Sequence, residues 1–200
     1  MLSKLIAWLS DQPALFLFLR GVLENDFRAI RAIIARDLPG HGAARTLDLG
    51  CGPGAFSTLF DPEKYVGVDL NPRYLAHARQ HFQGQFLVGD ARRIEIADRA
   101  IDQVLVFGLL HHLDDAAVSA VLGEMRRVLR AGGRALVIED IPAVSQLNLL
   151  GRLTHYAENG EHIRTAEAYQ QLYARAFRIE RDETLRSGIC DYYAAVLTAL

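Results

Sequence analysis

Cysteine and lysine are nearly absent: two of 200 residues are cysteine, Cys51 and Cys190, and two of the 22 basic residues are lysine, Lys4 and Lys64. Two cysteines cannot staple a small secreted scaffold, and one of them sits in a glycine-rich turn, so both are expected as free thiols. The remaining 20 basic residues are arginines scattered among carboxylates. With a net charge of −2 and a pI near 6.4, no basic field is available to gather phosphates, and nucleic acid is not the expected partner. Long apolar runs are lacking too. The stretch PALFLFL at 13–19, between Asp11 and Arg20, is far too short to cross a bilayer, and an amphipathic pattern follows it directly, so no transmembrane segment or cleaved leader is expected. What is present, 50% hydrophobic and 23% charged residues, excludes intrinsic disorder and predicts one folded domain of cytoplasmic type.

Residues 1–38 carry a helical pattern, with Leu19, Leu23, Phe27, Ile30 and Ile34 at three- and four-residue steps, stopped by Pro39-Gly40. From Thr46 the grammar changes to short apolar runs separated by helical patterns: TLDLG, YVGVDL, FLVGD, IDQVLVFG and RALVIED. Five such strands predict a parallel sheet wrapped on both faces, a doubly wound α/β plan. Helices are predicted at 55–60, at 72–83 behind Asn71-Pro72, at 114–130 behind Asp114, and near 165–176. FRIERDETLR and YYAAVLTAL predict a terminal antiparallel hairpin. Residues 141–165, broken by Pro142, Asn148, Gly151, Asn159 and Gly160, read as a lid or insert. The single domain thus divides into a helical cover (1–40), a core (44–140), the insert (141–165) and a helix plus hairpin (166–200).

Gly50-Cys51-Gly52-Pro53-Gly54 follows the first strand, where ligands of open α/β sheets bind. Read through Ala55, with Asp69 some twenty residues on, it also satisfies a dinucleotide fingerprint. Alone, the turn does not choose between ligands.

Its surroundings do. TLDLGCGPG, YVGVDLNPRYLAHAR, FLVGDA, VLVFGLLHHLDD and MRRVLRAGGRALVIED, in that order and spacing over 44–140, resemble the class I S-adenosylmethionine-dependent methyltransferases. The nearest flavour is the small-molecule branch that includes quinone-biosynthesis enzymes. The resemblance implies a mostly parallel seven-stranded Rossmann-like sheet with S-adenosyl-L-methionine as methyl donor and S-adenosyl-L-homocysteine as product. It implies that the turn of Gly50, Cys51, Gly52 and Gly54 approaches the methionine moiety, with Asp48 holding its ammonium through the loop or a water. Asp69, an acceptor-only carboxylate at a strand end, would take the ribose hydroxyls. Leu70 would pack on adenine, Asp90 and the Ala91 backbone would address its edge, and Phe107 and Gly108 would frame the sulfonium.

A hydroxyl acceptor is a poor nucleophile while protonated, and imidazole is suited to take that proton near neutral pH. Of His111 and His112, His112 is expected to face the cleft as the base and His111 to be packed as structure. His155, Tyr156 and Phe16 are candidate contacts for the acceptor. His77 and His81 have metal-ligand spacing but no third ligand, so no metal site is expected. The expected function is methyl transfer to a small, hydrophobic acceptor at oxygen, with peripheral contact to a membrane surface left open. The alternatives are a non-catalytic cofactor-binding module and a nicotinamide-dependent oxidoreductase.

Overall fold

The computed structural model describes residues 12–38, 44–144 and 162–200. Pro39-Gly40, His155, Tyr156 and most of the predicted insert lie outside them. Helix α1 runs Pro13–Leu23 and α2 Arg28–Asp37. Strands β1 (Thr46–Leu49) and β2 (Tyr65–Asp69), helix α3 (Pro72–His81), and strands β3 (Gln85–Val88) and β4 (Ile101–Phe107) follow. Helix α4 (Asp115–Val128), β5 (Leu129–Asp140), α5 (Ala166–Tyr173), β6 (Phe177–Ser187) and β7 (Cys190–Ala199) complete the chain.

The seven strands lie in the order β3-β2-β1-β4-β5-β7-β6. The first five pair in parallel, and β7 enters antiparallel between β5 and β6, as the hairpin pattern predicts. Alternation along the central strands feeds two cores. Val104, Val106, Val137, Tyr193 and Leu197 pack with α4 and α5 on one face, and Leu105, Leu136, Ile138, Tyr192 and Val196 with α2 and α3 on the other. The chain runs outward from β1 through β2 to β3 and then crosses back to β4 on the other side of β1, so a crevice opens at the carboxyl ends of β1 and β4.

The caps are those the residues predict. Asn71 accepts from the N–H groups of Arg73 and Tyr74, Asp114 from Ala117, and Thr165 from Ala168. Two expectations fail. The helix expected at 55–60 is a single 3-10 turn, Ser57–Leu59, because Phe60 is already extended (φ −123°, ψ 160°) ahead of Asp61-Pro62. The continuous apolar face expected along 19–34 is broken between α1 and α2, where Asn25, Asp26 and Phe27 all take φ near +55°. Phe27, Ile30 and Ile34 are buried, but Leu19 and Leu23 are exposed. The corner is pinned from outside: Ile189 N–H donates to the Leu23 carbonyl (3.1 Å), and Ser187 Oγ donates to the Glu24 carbonyl (2.9 Å). Tertiary contacts with the β6–β7 turn override the helical preference of residues 24–27.

Candidate active site

A cavity of about 710 Å³ occupies the crevice. The glycine turn forms one wall. Gly50, Gly52 and Gly54 have φ of +72°, +54° and +88°, a region that L side chains rarely adopt. At Gly54 a Cβ would also lie 3.0 Å from Phe82 and 3.1 Å from Ala78. At Gly52 the space is open, since an added Cβ would approach nothing closer than Tyr74 at 3.9 Å, so a ligand can reach the main chain there.

Asp69, at the end of β2, does more than face the cavity. Its Oδ2 accepts the Gly52 N–H (2.9 Å) and its Oδ1 the Asn71 N–H (2.8 Å), so the carboxylate also holds the glycine turn in place. Burial pushes its carboxyl up from the usual range while these two N–H groups pull it back. Asp48, inside β1, is almost wholly buried and accepts a hydrogen bond from the Tyr65 hydroxyl (2.7 Å). Desolvation lifts its carboxyl to about 7, against the Tyr65 bond and with a smaller push from Asp69. Burial likewise pushes the Cys51 thiol up, helped by the two aspartates, which leaves it a poor nucleophile.

Leu70 is 64% exposed and lines the cavity beside Ala91, Gly89 and Asp90. Asp90 carries an unexpected partner: the Arg92 Nε lies 3.0 Å from both of its oxygens, and Nη2 donates to Oδ2 (2.6 Å). The arginine holds this carboxyl below the usual carboxylate range. Phe107 stands edge-on to Phe56 and Phe27, and Gly108, with φ +63°, donates its N–H to the Ile138 carbonyl (2.9 Å).

The 3-10 turn Leu110–His112 follows, and both of its histidines line the cavity. His111 is buried, as expected, with Nδ1 3.0 Å from Glu139 Oε2, while His112 is exposed. Helix α1 closes the far side with Phe16, Leu17, Leu19 and Arg20, and the Phe16 ring lies 5.6 Å from that of Tyr74. Behind it, Arg20 Nε pairs with the buried Glu24 (2.5 Å) while its Nη2 donates to the Tyr192 hydroxyl (3.0 Å), which itself donates to Glu24 Oε2 (2.5 Å).

Of the sequence-predicted site residues within the described residues, all but Gly54 line this one cavity, while sequence reasoning did not point to Arg20 and Arg92, which line it too, or to Glu24, Glu139 and Tyr192 behind it. The acidic pair ending RALVIED, two charges inside a core strand, was the one signal that could have found Glu139. The donor set fits an adenosyl group carrying an amino acid: open main chain at Gly52, a carboxylate with acceptor capacity at Asp69, an exposed apolar face at Leu70 and a second carboxylate at Asp90.

Residues 46–133 match the family model of a methyltransferase domain. The ubiquinone/menaquinone biosynthesis C-methyltransferase of Hahella chejuensis is 32% identical over 184 residues, 75% of this chain and 69% of that protein. A malonyl-[acyl-carrier protein] O-methyltransferase of Methylococcus capsulatus is 31% identical over 176 residues, 80% of this chain and 61% of that protein. The chain spans less than half the length of several other curated relatives, 45%, 44% and 48% of three of them. In fold, an S-adenosylmethionine-dependent methyltransferase from Methanosarcina mazei superposes with a TM-score of 0.66 over 84% of this chain and 97% of its own, at 20% identity. The Hahella match extends well beyond the cofactor-binding core, and on it the chain belongs to the class I S-adenosylmethionine-dependent methyltransferases.

Proposed function

We propose that this chain transfers a methyl group from S-adenosylmethionine to the oxygen of a small, largely apolar acceptor. The observation that carries this reading is the continuity of one cavity. The glycine turn, Asp69 and Asp90 lie along one part of it, and an apolar wall of Phe16, Leu17, Leu19 and Phe107 with two histidines lies along the other. Methyl transfer needs the acceptor lone pair, the methyl carbon and the sulfur nearly in line, so a site that orients two ligands and excludes water supplies most of what the reaction requires.

Within this reading, Gly50, Cys51, Gly52 and Gly54 carry the methionine moiety, Asp48 lies behind them, Asp69 takes the ribose, and Leu70, Asp90 and Ala91 take adenine. Phe107 and Gly108 stand beside the sulfonium, and Phe16 contacts the acceptor. An oxygen acceptor surrenders a proton, and the reading assigns it to the histidines that line the cavity, His111 and His112. The oxygen target rests on this pair, since the names of the relatives include both carbon and oxygen methylation. The exposed Phe18 and Val22 on the outer side of α1 allow contact with a lipid surface that holds such an acceptor, and a cytoplasmic setting belongs to the same proposal. Equilibrium calorimetry tests it: S-adenosylmethionine and S-adenosylhomocysteine are expected to bind while nicotinamide dinucleotides do not. The reverse pattern would sink the reading, and cofactor binding without turnover of any acceptor would turn it into a binding module.

A further inference from the structure

A second cavity, of about 510 Å³, lies between α4 and the end of α5 and shares no lining residue with the candidate active site. It belongs to the other edge of the sheet. Helix α4 ends directly before β5, and α5 ends just ahead of β6, which runs parallel to β5 because both pair antiparallel with β7. Both helix ends therefore lie at the amino ends of the strands, away from the crevice. Ser119, Leu122, Gly123 and Arg126 line the cavity from α4 at i, i+3, i+4 and i+7, one stripe about 10 Å long. Leu172, Arg175 and Ala176 line it from the other side at i, i+3 and i+4. The floor is apolar, with Leu122 and Leu172 buried in it, and it is open above Gly123, where an added Cβ would meet nothing within 4 Å.

The rim is basic. Arg126, Arg127 and Arg175 line the groove and no carboxylate does. Arg127 is committed elsewhere: it pairs with Glu124 (2.7 Å) and Asp98 (2.6 Å) and donates to the carbonyls of Ile94 and Ile96 (both 2.8 Å). Asp102, at the same edge, is taken by Arg130 (2.6 Å). Among the described residues, Arg126 and Arg175 form no ion pair or side-chain hydrogen bond. Arg134 and Arg178, exposed and in register with Thr198 from either side, add two more such guanidinium groups to this edge. The net charge of −2 thus conceals a basic edge. Arginine at a helix carboxyl end complements the dipole, which accounts for the presence of Arg126 and Arg175 there but not for the apolar floor between them.

We propose that this groove docks one acidic, amphipathic helix of a protein partner. Two helical stripes flanking an apolar floor leave the place of a third helix, whose apolar face covers Leu122, Leu172 and Ala176. Ser119 and Gly123 are small, so its backbone can come close. Carboxylates on its flanks meet Arg126 and Arg175, the two rim cations that the chain itself leaves unpaired among the described residues. A small anion would use the two guanidinium groups and leave the floor wet, and a flat lipid surface would meet the rim without filling the groove. Single-stranded nucleic acid stacks its bases on aromatic rings, and none lines the groove. A partner docked here leaves the methyl-transfer cavity open, and the inference stands whether or not the chain acts on a hydroxyl.

The test uses the full chain and a fluorescent helical peptide of about four turns, with leucines along one face and glutamates on its flanks, beside the same peptide with lysines for the glutamates. Anisotropy titration at low salt is expected to give a Kd of about 10–100 µM for the acidic peptide and binding at least about tenfold weaker for the basic one. Arg126→Glu combined with Arg175→Glu is expected to weaken the acidic peptide by more than about tenfold, and Gly123→Leu, which fills the floor without changing charge, by a similar factor. Thermal melts show that the variants fold; if the charge-reversed one does not, Arg126→Gln with Arg175→Gln takes its place. No binding of the acidic peptide up to about 1 mM, or equal binding of the two peptides, overturns the proposal. So does a loss on charge reversal that Gly123→Leu does not share, because it reduces the groove to unspecific charge attraction. Displacement of the peptide by inorganic phosphate beyond that by chloride of equal ionic strength gives the site to a small anion. Binding to phosphatidylserine vesicles in preference to the peptide gives it to a membrane, and either result overturns the proposal as well.

Discussion

The two halves of the cavity are built in opposite ways. The half proposed to take the cofactor comes from the segments that follow β1, β2 and β3, and it is organised by bonds of short or moderate span: Asp69 bonds Asn71 and, 17 positions away, Gly52, and Asp90 bonds Arg92. The acceptor half draws Arg20 and Glu24 from α1 and its corner, His111 from the β4 turn, Glu139 from β5 and Tyr192 from β7. Its geometry therefore depends on the long-range docking of α1 against the β6–β7 hairpin. On the proposed function, local motifs specify the cofactor half, whereas long-range contacts assemble the half that would take the acceptor.

The comparison breaks most sharply at Gly188, between β6 and β7. It has φ +57°, and a Cβ there would lie 1.9 Å from the Leu23 carbonyl oxygen, a backbone atom that cannot swing aside. Gly188→Ala should dislodge the α1 corner, lower Tm by about 5–10 °C through overpacking, and cut methyl transfer more than about tenfold. Thermal melts and initial rates check this; unchanged rates would mean that the corner does not shape the acceptor half. On the other side, Asp69→Ala removes acceptors for the ribose and for two backbone N–H groups. A charge-assisted loss of about 1.5–3 kcal/mol, or roughly 10–100-fold in S-adenosylhomocysteine affinity, is expected.

A smaller effect separates the halves by pH. Burial lifts the Asp48 carboxyl to about 7, above the usual aspartate value of about 3.9, so the folded state binds a proton that the unfolded chain has released. The contribution of Asp48 to stability is therefore greatest below about pH 4 and declines as pH rises through about 7. Asp48→Asn should flatten that decline, seen as a wild-type-minus-variant stability difference that shrinks between pH 5 and 8 in denaturant melts of the ligand-free chain. A difference constant with pH would show that the carboxyl ionises normally. Smallest of all should be Arg92→Ala: its guanidinium is half exposed, so losing the pair with Asp90 is expected to move S-adenosylhomocysteine affinity by less than about fivefold. A larger loss would make Arg92 a direct ligand of the cofactor.

The same contrast explains what the sequence made legible. The strands, the caps at Asn71, Asp114 and Thr165 and the antiparallel hairpin follow from local pattern, because each is signalled by residues close together in sequence. The α1–α2 break was not legible, since a helical run through Asn25, Asp26 and Phe27 is interrupted by bonds from Ser187 and Ile189, more than 160 positions away. Nor was the partner of His111, because the His-His pair and the acidic end of β5 become neighbours only when β4 and β5 pair with Phe107 beside Ile138.

Calorimetric titration of S-adenosylhomocysteine into Gly188→Ala and Asp69→Ala, side by side with the wild type, tests most directly the claim that the cofactor half stands without the acceptor half. The account predicts affinity within about threefold of wild type for Gly188→Ala, alongside its loss of turnover, and a loss of about tenfold or more for Asp69→Ala. Equal weakening in both variants, with each chain folded, would contradict it and make the two halves one cooperative site.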